Sequence, residues 1–263
     1  MTGGVRRIAL FGRGHALWSV AALLDKSLPA RGELIVVEEP ESDGPAPLTI
    51  RLDDPLLAGL EITADDLQGA DSAIFALGTE LRDWRAEGSR FLLAGSGTLP
   101  EVDDVAIHQI MLRAALAYDQ PDRLAYLYQP FRLPARVAQA GKFAFQASDP
   151  RSPLSMLRPV VQIDSGDYAA LLKKRFPCER MEIVESWPKT VVLAPEDGSI
   201  DRVELDNDRL VEADLYIDAS GALSGLAGQI SASDWHALSG GLPFDRLLSV
   251  RKSEAPSHPP AVA

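Results

Sequence analysis

Apolar positions in the first forty residues change their spacing in a way that predicts a strand, a helix and a second strand. A mostly apolar run spans Val5–Phe11 and is bounded by glycine. After it, apolar residues recur at helical spacing as far as Leu28. A second apolar and β-branched run, Leu34–Val37, is typical of a buried parallel strand. The chain therefore opens with a predicted βαβ unit.

The middle of the chain predicts elements of both kinds. The segment Thr63–Leu81 predicts a helix followed by an extended piece. Asp103 or Asp104 is predicted to cap a helix that runs through Tyr118, and apolar residues cover most of its circumference, so we expect it to be buried. Six prolines between Pro121 and Pro159 predict a long excursion across the surface rather than a regular layer.

The last third of the chain predicts one helix and an antiparallel meander. Ser165 is typical of an N-cap, and the apolar residues that follow it predict a helix as far as Phe176. Good turn sequences separate three strand candidates, which are Val191–Leu193, Ile200–Leu205 and Leu210–Ile217. Consecutive short strands joined by such turns predict a β-meander.

Composition and charge narrow the class of protein. A chain of 263 residues can bury a full core, and we expect one α/β domain over residues 1–250, followed by a disordered proline-rich tail over 251–263. The net charge of -12 opposes binding to nucleic acid and to anionic membranes. The single cysteine and the lack of a long apolar run near the start predict a cytoplasmic protein without a membrane partner.

A partial dinucleotide-binding fingerprint occupies the predicted junction between the first strand and the first helix. Gly12 permits a tight turn, and Gly14 lets the backbone approach a pyrophosphate at the helix N-terminus. Leu17 replaces the third glycine of the fingerprint, which weakens phosphate binding without excluding it. Glu38 follows the second strand, where its carboxylate can accept hydrogen bonds from ribose hydroxyls. An ordinary βα turn without a ligand is the alternative interpretation.

Several segments, in one order along the chain, resemble flavin-dependent tryptophan halogenases. Val5–Trp18 is similar to their first strand and turn, and Leu34–Pro40 is similar to their second strand. Ala70–Trp84 resembles the segment that carries the family's catalytic lysine. Further matches are Pro159–Phe176, Ala213–Gly221 and Leu242–Arg246. The resemblance implies a Rossmann-like FAD-binding domain of three layers with a β-meander.

The resemblance also implies which residues would bind the cofactor. Five residues of the opening βαβ unit would hold the ADP half of FAD: Gly12, Gly14, Ala16, Trp18 and Glu38. Three residues of a later strand and turn would lie near the pyrophosphate or the ribityl chain: Asp218, Ser220 and Gly221. The same three residues would also serve as a helix-capping turn in a protein whose site is empty.

Three departures from the family pattern change the function that we expect. Ala76 occupies the position of the lysine that delivers the halogen, and alanine has no amine or hydrogen-bond donor. The segment that lies over the flavin ring in the family falls at Gly44–Thr49, where the glutamate is missing and two prolines remove backbone donors. The family's tryptophan-x-tryptophan-x-isoleucine-proline motif and its second half are not found in the chain.

These departures predict a halogenase-like protein that is inactive as a halogenase and acts as a binding or partner protein, with weak or lost affinity for FAD. No catalytic residue is assigned. No metal site is predicted, since no two of the four histidines have ligand spacing on one helix. The expected partner is a second copy of the chain or a full-length halogenase paralogue. The alternative is an FAD-dependent oxidoreductase of the monooxygenase or halogenase class that is active with a second chain.

Overall fold

The chain forms two compact units. The computed structural model describes residues 5–29, 31–40, 46–84, 86–94, 101–119, 132–176, 181–221, 225–230 and 241. The first unit comprises residues 1–47 and 164–251, and the second comprises 48–163 and 252–263. Residues 242–263 lie outside the described part of the chain, so the tail that we expect over 251–263 and the single domain over 1–250 both stay predictions.

The described residues form both strands and helices. In chain order the strands are β1 (Arg7–Gly12), β2 (Glu33–Glu38), β3 (Pro47–Arg51), β4 (Ile74–Ala76), β5 (Gly78–Arg82), β6 (Arg90–Ala94), β7 (Glu101–Val102), β8 (Val105–Ala106), β9 (Val160–Asp164), β10 (Met181–Glu185), β11 (Pro188–Leu193), β12 (Ile200–Leu205), β13 (Leu210–Val211) and β14 (Leu215–Ala219). The helices are α1 (Gly14–Ser27), α2 (Pro55–Gly59), α3 (Ala64–Gln68), α4 (Ile107–Ala117), α5 (Leu133–Gln139), α6 (Ser165–Arg175) and α7 (Ala227–Ile230). Among these helices, none is long and apolar enough to cross a bilayer.

A parallel sheet of order β10-β2-β1-β14 forms the centre of the first unit. All three neighbouring pairs run parallel, with Ile8 opposite Leu34 on one side and opposite Leu215 on the other. The apolar runs of β1 and β2 suit this position, because strands of parallel sheets are buried on both faces. The predicted βαβ opening is therefore confirmed, with β1 and α1 shifted by one or two residues from the expected bounds.

The first unit has three layers. On one face of the parallel sheet, Phe11 and Val37 pack in a core with Val203 and Leu205 of the antiparallel sheet β11-β12-β13. Because side chains alternate along a strand, Ile8, Leu10, Leu34 and Val36 point to the opposite face. These side chains are buried, and α1 packs on β1 and β2 at that face and on α6. The predicted three-layer α/β architecture with a meander is thus confirmed.

Two details of this unit differ from the sequence prediction. Leu210–Ile217 is not one strand, since β13 pairs antiparallel with β12 while β14 pairs parallel with β1 in the other sheet. Asp214 stabilises the break by accepting hydrogen bonds from the backbone N–H groups of Arg6 and Arg7, at 2.8 and 2.9 Å. The N-cap of α6 is Asp164 rather than Ser165, because its Oδ1 accepts a hydrogen bond from Gly166 N at 2.9 Å.

The second unit contains a sheet of order β3-β9-β4 and two hairpins, β5-β6 and β7-β8. The expected helix capped by Asp103 or Asp104 is wrong at its start. Both aspartates have left-handed φ angles, 52° and 60°, and they form the turn of β7-β8, so α4 begins at Ile107. The expected burial of α4 is also wrong, since Leu112 and Leu116 are 43% and 62% exposed. An apolar circumference alone does not provide neighbouring elements to cover it.

The proline-rich segment 121–159 is only partly described, from residue 132 onward. The described residues 132–159 contain α5 and a 3-10 turn at Pro153–Met156, and most of the others among them lack regular structure. Ala135 and Ala138 of α5 pack with Leu77 and Leu157 in a core of the second unit. Part of the predicted excursion is therefore a packed helix.

Candidate functional site

The two glycines of the fingerprint turn are required for different reasons. Gly12 ends β1 with φ at 154°, and a Cβ placed there would lie 2.5 Å from the backbone oxygen of Ala219 in β14. Gly14 begins α1 with φ at 57°, and a Cβ placed there would meet nothing within 4 Å in the described chain apart from its chain neighbours and the backbone of α1 itself. Gly12 thus allows β1 to pass close to β14, whereas Gly14 leaves open space at the start of the helix.

The N-terminus of α1 can receive an anion. Within this described turn, the N-cap residue Arg13 makes no side-chain capping hydrogen bond, and the first turn has no acidic residue. Ala16 is exposed in that turn. The first backbone N–H groups of a helix have no partner inside it, and the helix dipole favours negative charge there. Leu17 departs from the fingerprint, and its side chain is fully buried.

Glu38 has both carboxylate oxygens engaged within the protein. Its Oε1 accepts a hydrogen bond from the Trp18 indole Nε1 at 2.7 Å, and its Oε2 accepts one from Lys173 Nζ at 2.8 Å. Lys173 Nζ also lies 4.8 Å from the centroid of the Trp18 ring, in a cation–π arrangement. A carboxylate offers about four lone-pair positions, so ribose hydroxyls can still donate to Glu38, but they compete with these two donors.

Lys173 is the residue of this cluster that the sequence reasoning missed. It lies on α6, 135 residues after Glu38 in the chain. The only local signal is a run of basic residues in the last turn of that helix, which is also the usual way to complement a helix dipole. Its pairing with Glu38 depends on the packing of α6 against α1. A single sequence does not report that packing.

Asp218 and Ser220 form an internal capping turn at the end of β14. Asp218 Oδ1 accepts hydrogen bonds from the backbone N–H of Ser220 at 2.9 Å and from its hydroxyl. Asp218 Oδ2 accepts from the backbone N–H groups of Leu226 and Ala227 at 2.9 and 3.0 Å. Burial acts to raise the pKa of Asp218, but these hydrogen bonds outweigh it and hold the pKa below its ordinary value. Gly221 follows with φ at 62°.

The predicted cofactor residues of the first unit fall into two groups. Gly12, Gly14, Ala16, Trp18 and Glu38 lie at or next to the carboxyl ends of β1 and β2, where α/β folds bind nucleotides. Their geometry fits the ADP half of FAD, with the reservation that Glu38 is already paired. The second group, Asp218, Ser220 and Gly221, has the geometry of the capping alternative. Cofactor binding by any of these residues stays a prediction.

Residues around the expected flavin-ring segment are described only from position 46. Gly44 and Pro45 lie outside the described residues, and Pro47 is the first residue of β3. Ala46 O accepts a hydrogen bond from Ser165 N at 2.9 Å. Among the described residues, no group of three or more histidines, cysteines and carboxylates is placed to hold a metal ion.

Ala76 is the last residue of β4, in the second unit. It pairs with Val160 of β9 in an antiparallel register, and its side chain is 0% exposed. Phe75, immediately before it, packs edge-on against Phe145 at 5.3 Å between ring centroids. The position to which the resemblance assigns a lysine is therefore a buried methyl group in a strand.

Comparison with known proteins identifies the family. The model of the tryptophan halogenase family matches residues 7–262, which is nearly the whole chain. The chain belongs to the tryptophan halogenase family. No curated protein sequence matches it. The family resemblance seen in the sequence is therefore confirmed. Membership of a flavin-dependent family implies an FAD site in this fold.

Solved halogenase structures share this architecture. The flavin-dependent halogenase BrvH from Brevundimonas sp. BAL3 is 27% identical with a TM-score of 0.71, and the match covers 86% of this chain and 44% of that one. Xcc4156, a flavin-dependent halogenase from Xanthomonas campestris, is 22% identical with a TM-score of 0.65, over 81% and 41% of the two chains. The tryptophan 6-halogenase SttH from Streptomyces toxytricini is 18% identical with a TM-score of 0.69, over 87% and 46%.

The family match and these structures support the predicted Rossmann-like FAD-binding fold. At 22% and 18% identity, the likeness to Xcc4156 and SttH concerns the fold alone. The chain spans less than half the length of the three solved halogenases.

Proposed function

We propose that this chain is a halogenase-like flavin-domain protein that does not halogenate by itself and acts as a binding or partner protein. The observation that carries the proposal is Ala76, which stands where the family resemblance places the catalytic lysine. A methyl group cannot hold or deliver an electrophilic halogen, because it has no donor and no nucleophile. Ala76 is also buried in β4, so its side chain does not face solvent.

The same geometry predicts the effect of restoring the amine. A lysine at position 76 would bring an ammonium group and four methylenes into a position that is 0% exposed. Overpacking destabilises a fold by about 1–3 kcal/mol, and the burial of an unpaired charge costs more than that. Ala76→Lys is therefore expected to lower stability and to leave the chain without halogenating activity.

We further propose that the chain binds FAD weakly. Bound FAD would supply redox chemistry, while the chain's own residues would hold its ADP half. Gly14 and the N-terminus of α1 would receive the pyrophosphate, and Glu38 would accept hydrogen bonds from the ribose. The ion pair from Lys173 and the indole donor of Trp18 already use both oxygens of Glu38, which lowers the gain from a ribose contact. Leu17 adds a departure from the fingerprint.

A titration tests the proposed affinity. The chain should purify without a yellow colour, and oxidised or reduced FAD should bind with a weak, saturable signal in calorimetry or flavin fluorescence. A stoichiometric yellow flavoprotein obtained directly from purification would refute weak binding. It would also favour the enzymatic alternative.

A second experiment tests the proposed lack of halogenation. The purified chain is supplied with reduced flavin, oxygen and bromide, with tryptophan or indole as acceptor, and products are analysed by mass spectrometry. We expect no enzyme-dependent halogenated product from the wild-type chain or from Ala76→Lys. A regioselective product from the wild-type chain alone would overturn the proposal, whereas unselective bromination that persists without the protein would not.

The binding role would require a partner, either a second copy or a full-length halogenase paralogue. Exposed apolar side chains on β7, β8 and α4 support this part of the proposal: Val102, Val105, Leu112 and Leu116 are each at least 40% exposed. Exposed apolar side chains mark association sites where they form a contiguous patch. A cytoplasmic location belongs to the same proposal and agrees with one cysteine in 263 residues.

The alternative function is an FAD-dependent oxidoreductase that completes its site with a second chain. The observation that favours it is the open fingerprint turn, because Gly14 retains the left-handed φ of 57° and the free space that a phosphate would need. Flavin reduction and oxygen consumption, measured with and without a candidate halogenase paralogue, separate the two functions. Turnover that appears only in the mixture supports the alternative, and an unchanged flavin spectrum supports a binding role.

A further inference from the structure

A cavity of about 180 Å³ in the second unit involves none of the predicted cofactor residues. Its lining residues are Leu52, Asp53, Phe145, Gln146, Arg158 and Pro159. Leu52 follows β3 and Pro159 precedes β9, and Leu52 N donates a hydrogen bond to Pro159 O at 3.3 Å. This hydrogen bond ties two walls of the cavity to the edge of the sheet β3-β9-β4.

Arg158 is held in place before any ligand arrives. Its Nη1 donates to the backbone oxygens of Ser155 and Leu157 at 2.7 and 2.9 Å. Its Nε lies 3.6 Å from Asp53 Oδ2, and its side chain is 25% exposed. In the described part of the chain, no hydrogen bond occupies the second terminal nitrogen, Nη2. The guanidinium group is therefore preorganised, so binding an anion there costs little further side-chain entropy.

The carboxylate beside Arg158 is largely used by another arginine. Asp53 accepts hydrogen bonds from Arg51 Nε at 2.8 Å and from Arg51 Nη2 at 2.7 Å. The hydrogen bond from Arg51 is the main cause that holds the pKa of Asp53 below its ordinary value. The neighbouring Asp54 uses its carboxylate to cap α2, accepting from Leu56 N at 2.8 Å. The pairing of Asp53 with Arg51 leaves Arg158 able to attract a further anion.

An aromatic wall stands beside this guanidinium group. Phe145 is 49% exposed, and its ring packs edge-on against Phe143 at 5.1 Å and against Phe75 at 5.3 Å between centroids. Edge-to-face packing of three rings fixes the orientation of the exposed one. A rigid half-exposed ring next to a cation favours a ligand that is flat and apolar at one end and anionic at the other.

We propose that this cavity binds a small aromatic carboxylate, with the carboxylate on Arg158 and the ring against Phe145. The volume of about 180 Å³ lies below the roughly 300–1,000 Å³ of pockets for drug-sized ligands, so a ligand with one ring is the appropriate size. Gln146 also lines the cavity, and its side-chain amide donates to Ser155 O at 3.2 Å. The site is independent of the proposed function, because it uses none of the predicted cofactor residues.

Benzoate is the probe for the proposed site, and benzamide is the uncharged control compound of nearly the same shape. In calorimetry or ligand-observed NMR with the whole chain, benzoate should bind with saturation, benzamide about tenfold or more weakly, and added salt should weaken only benzoate. Arg158→Gln should reduce benzoate affinity about tenfold or more. Arg151→Gln is the control, since Arg151 lies in the same segment with a side chain that is 91% exposed. Equal affinities for benzoate and benzamide, or an unchanged Arg158→Gln variant, would overturn the proposal.

Arg158→Gln removes the donor to two carbonyl groups and could therefore unfold the chain. A second variant keeps the proposal testable in that case. Phe145→Leu keeps the guanidinium group and removes the aromatic wall. The preference for benzoate over acetate should fall several-fold in this variant while acetate binding is unchanged. An undiminished preference would show that the ring does not contact Phe145, and no saturable benzoate binding to the wild-type chain at millimolar concentration would overturn the site as a whole.

Discussion

Replacing each fingerprint glycine with alanine should separate folding from nucleotide binding. In Gly12→Ala, the new methyl group would lie 2.5 Å from Ala219 O and 2.6 Å from Ala219 C, both backbone atoms that cannot move independently of β14. In Gly14→Ala, the methyl group enters open space, and only the left-handed φ of 57° opposes it. The first substitution therefore perturbs the sheet, whereas the second perturbs only the helix start.

The two changes differ in expected magnitude. Strain at a φ that favours glycine and overpacking against a backbone each contribute about 1–3 kcal/mol, so Gly12→Ala should lose about 2–6 kcal/mol of unfolding free energy. Gly14→Ala should lose about 1–2 kcal/mol, the usual penalty of a left-handed alanine. Domain stabilities lie near 5–15 kcal/mol, so only the first change should endanger the fold. Denaturant unfolding followed by circular dichroism measures both values.

Binding should show the opposite sensitivity. A methyl group at Gly14 would stand where a pyrophosphate must approach, so affinity for ADP or FAD should fall about tenfold or more in a protein that is still folded. Isothermal titration of both variants with ADP provides the measurement. Equal stability losses for the two variants would refute the inferred close approach of β1 and β14, and unchanged ADP affinity in Gly14→Ala would show that the turn is not the nucleotide site.

Three further predictions concern other parts of the chain. Lys173→Met should lower the free energy of unfolding by less than about 1 kcal/mol, and it should raise ADP affinity several-fold because Glu38 loses a competing donor. The exposed control Lys174→Met should change neither quantity. Weaker ADP binding in Lys173→Met would contradict the competition inferred at Glu38. Asp218→Asn should lose about 1–3 kcal/mol of unfolding free energy at neutral pH, because its amide cannot accept from every donor that the carboxylate serves. The pKa of Asp218 lies below its ordinary value of 3.8, so the stability advantage of the wild type should be complete above that pH and vanish as the pH falls through the folded-state pKa. A pH-independent difference in urea unfolding would argue against this role. A Leu112→Gln, Leu116→Gln double variant should shift any self-association measured by light scattering toward monomer, and an unchanged mass at every concentration would remove α4 from the interface.

The sequence could predict the opening βαβ unit because its signals are local. The apolar runs of β1 and β2 and the helical spacing between them specify both element types, and the turn between them carries recognisable glycines. The three-layer arrangement also followed, since buried parallel strands need elements on both faces. The predicted fold class therefore depended on periodicity and on the family resemblance together.

Features that depend on partners distant in the chain were not predictable in the same way. Leu210–Ile217 has one continuous strand pattern, yet β13 and β14 belong to different sheets because Asp214 ties the break to Arg6 and Arg7. The burial of α4 was overestimated because its apolar circumference says nothing about which elements pack against it. Lys173 and Arg158 carry no motif, and only the fold brings each beside its carboxylate.

The passage of the chain between the two units has a consequence for how the protein can be altered. The chain leaves the first unit after position 47 and returns to it at position 164. These two points are adjacent, since Ala46 O accepts a hydrogen bond from Ser165 N at 2.9 Å. A segment whose ends meet adds closure entropy that grows only with the logarithm of its length, by about 0.6 kcal/mol for each doubling. Residues 48–163 can therefore be lengthened, shortened or exchanged for a short linker at little entropic expense to the unit that carries the fingerprint turn.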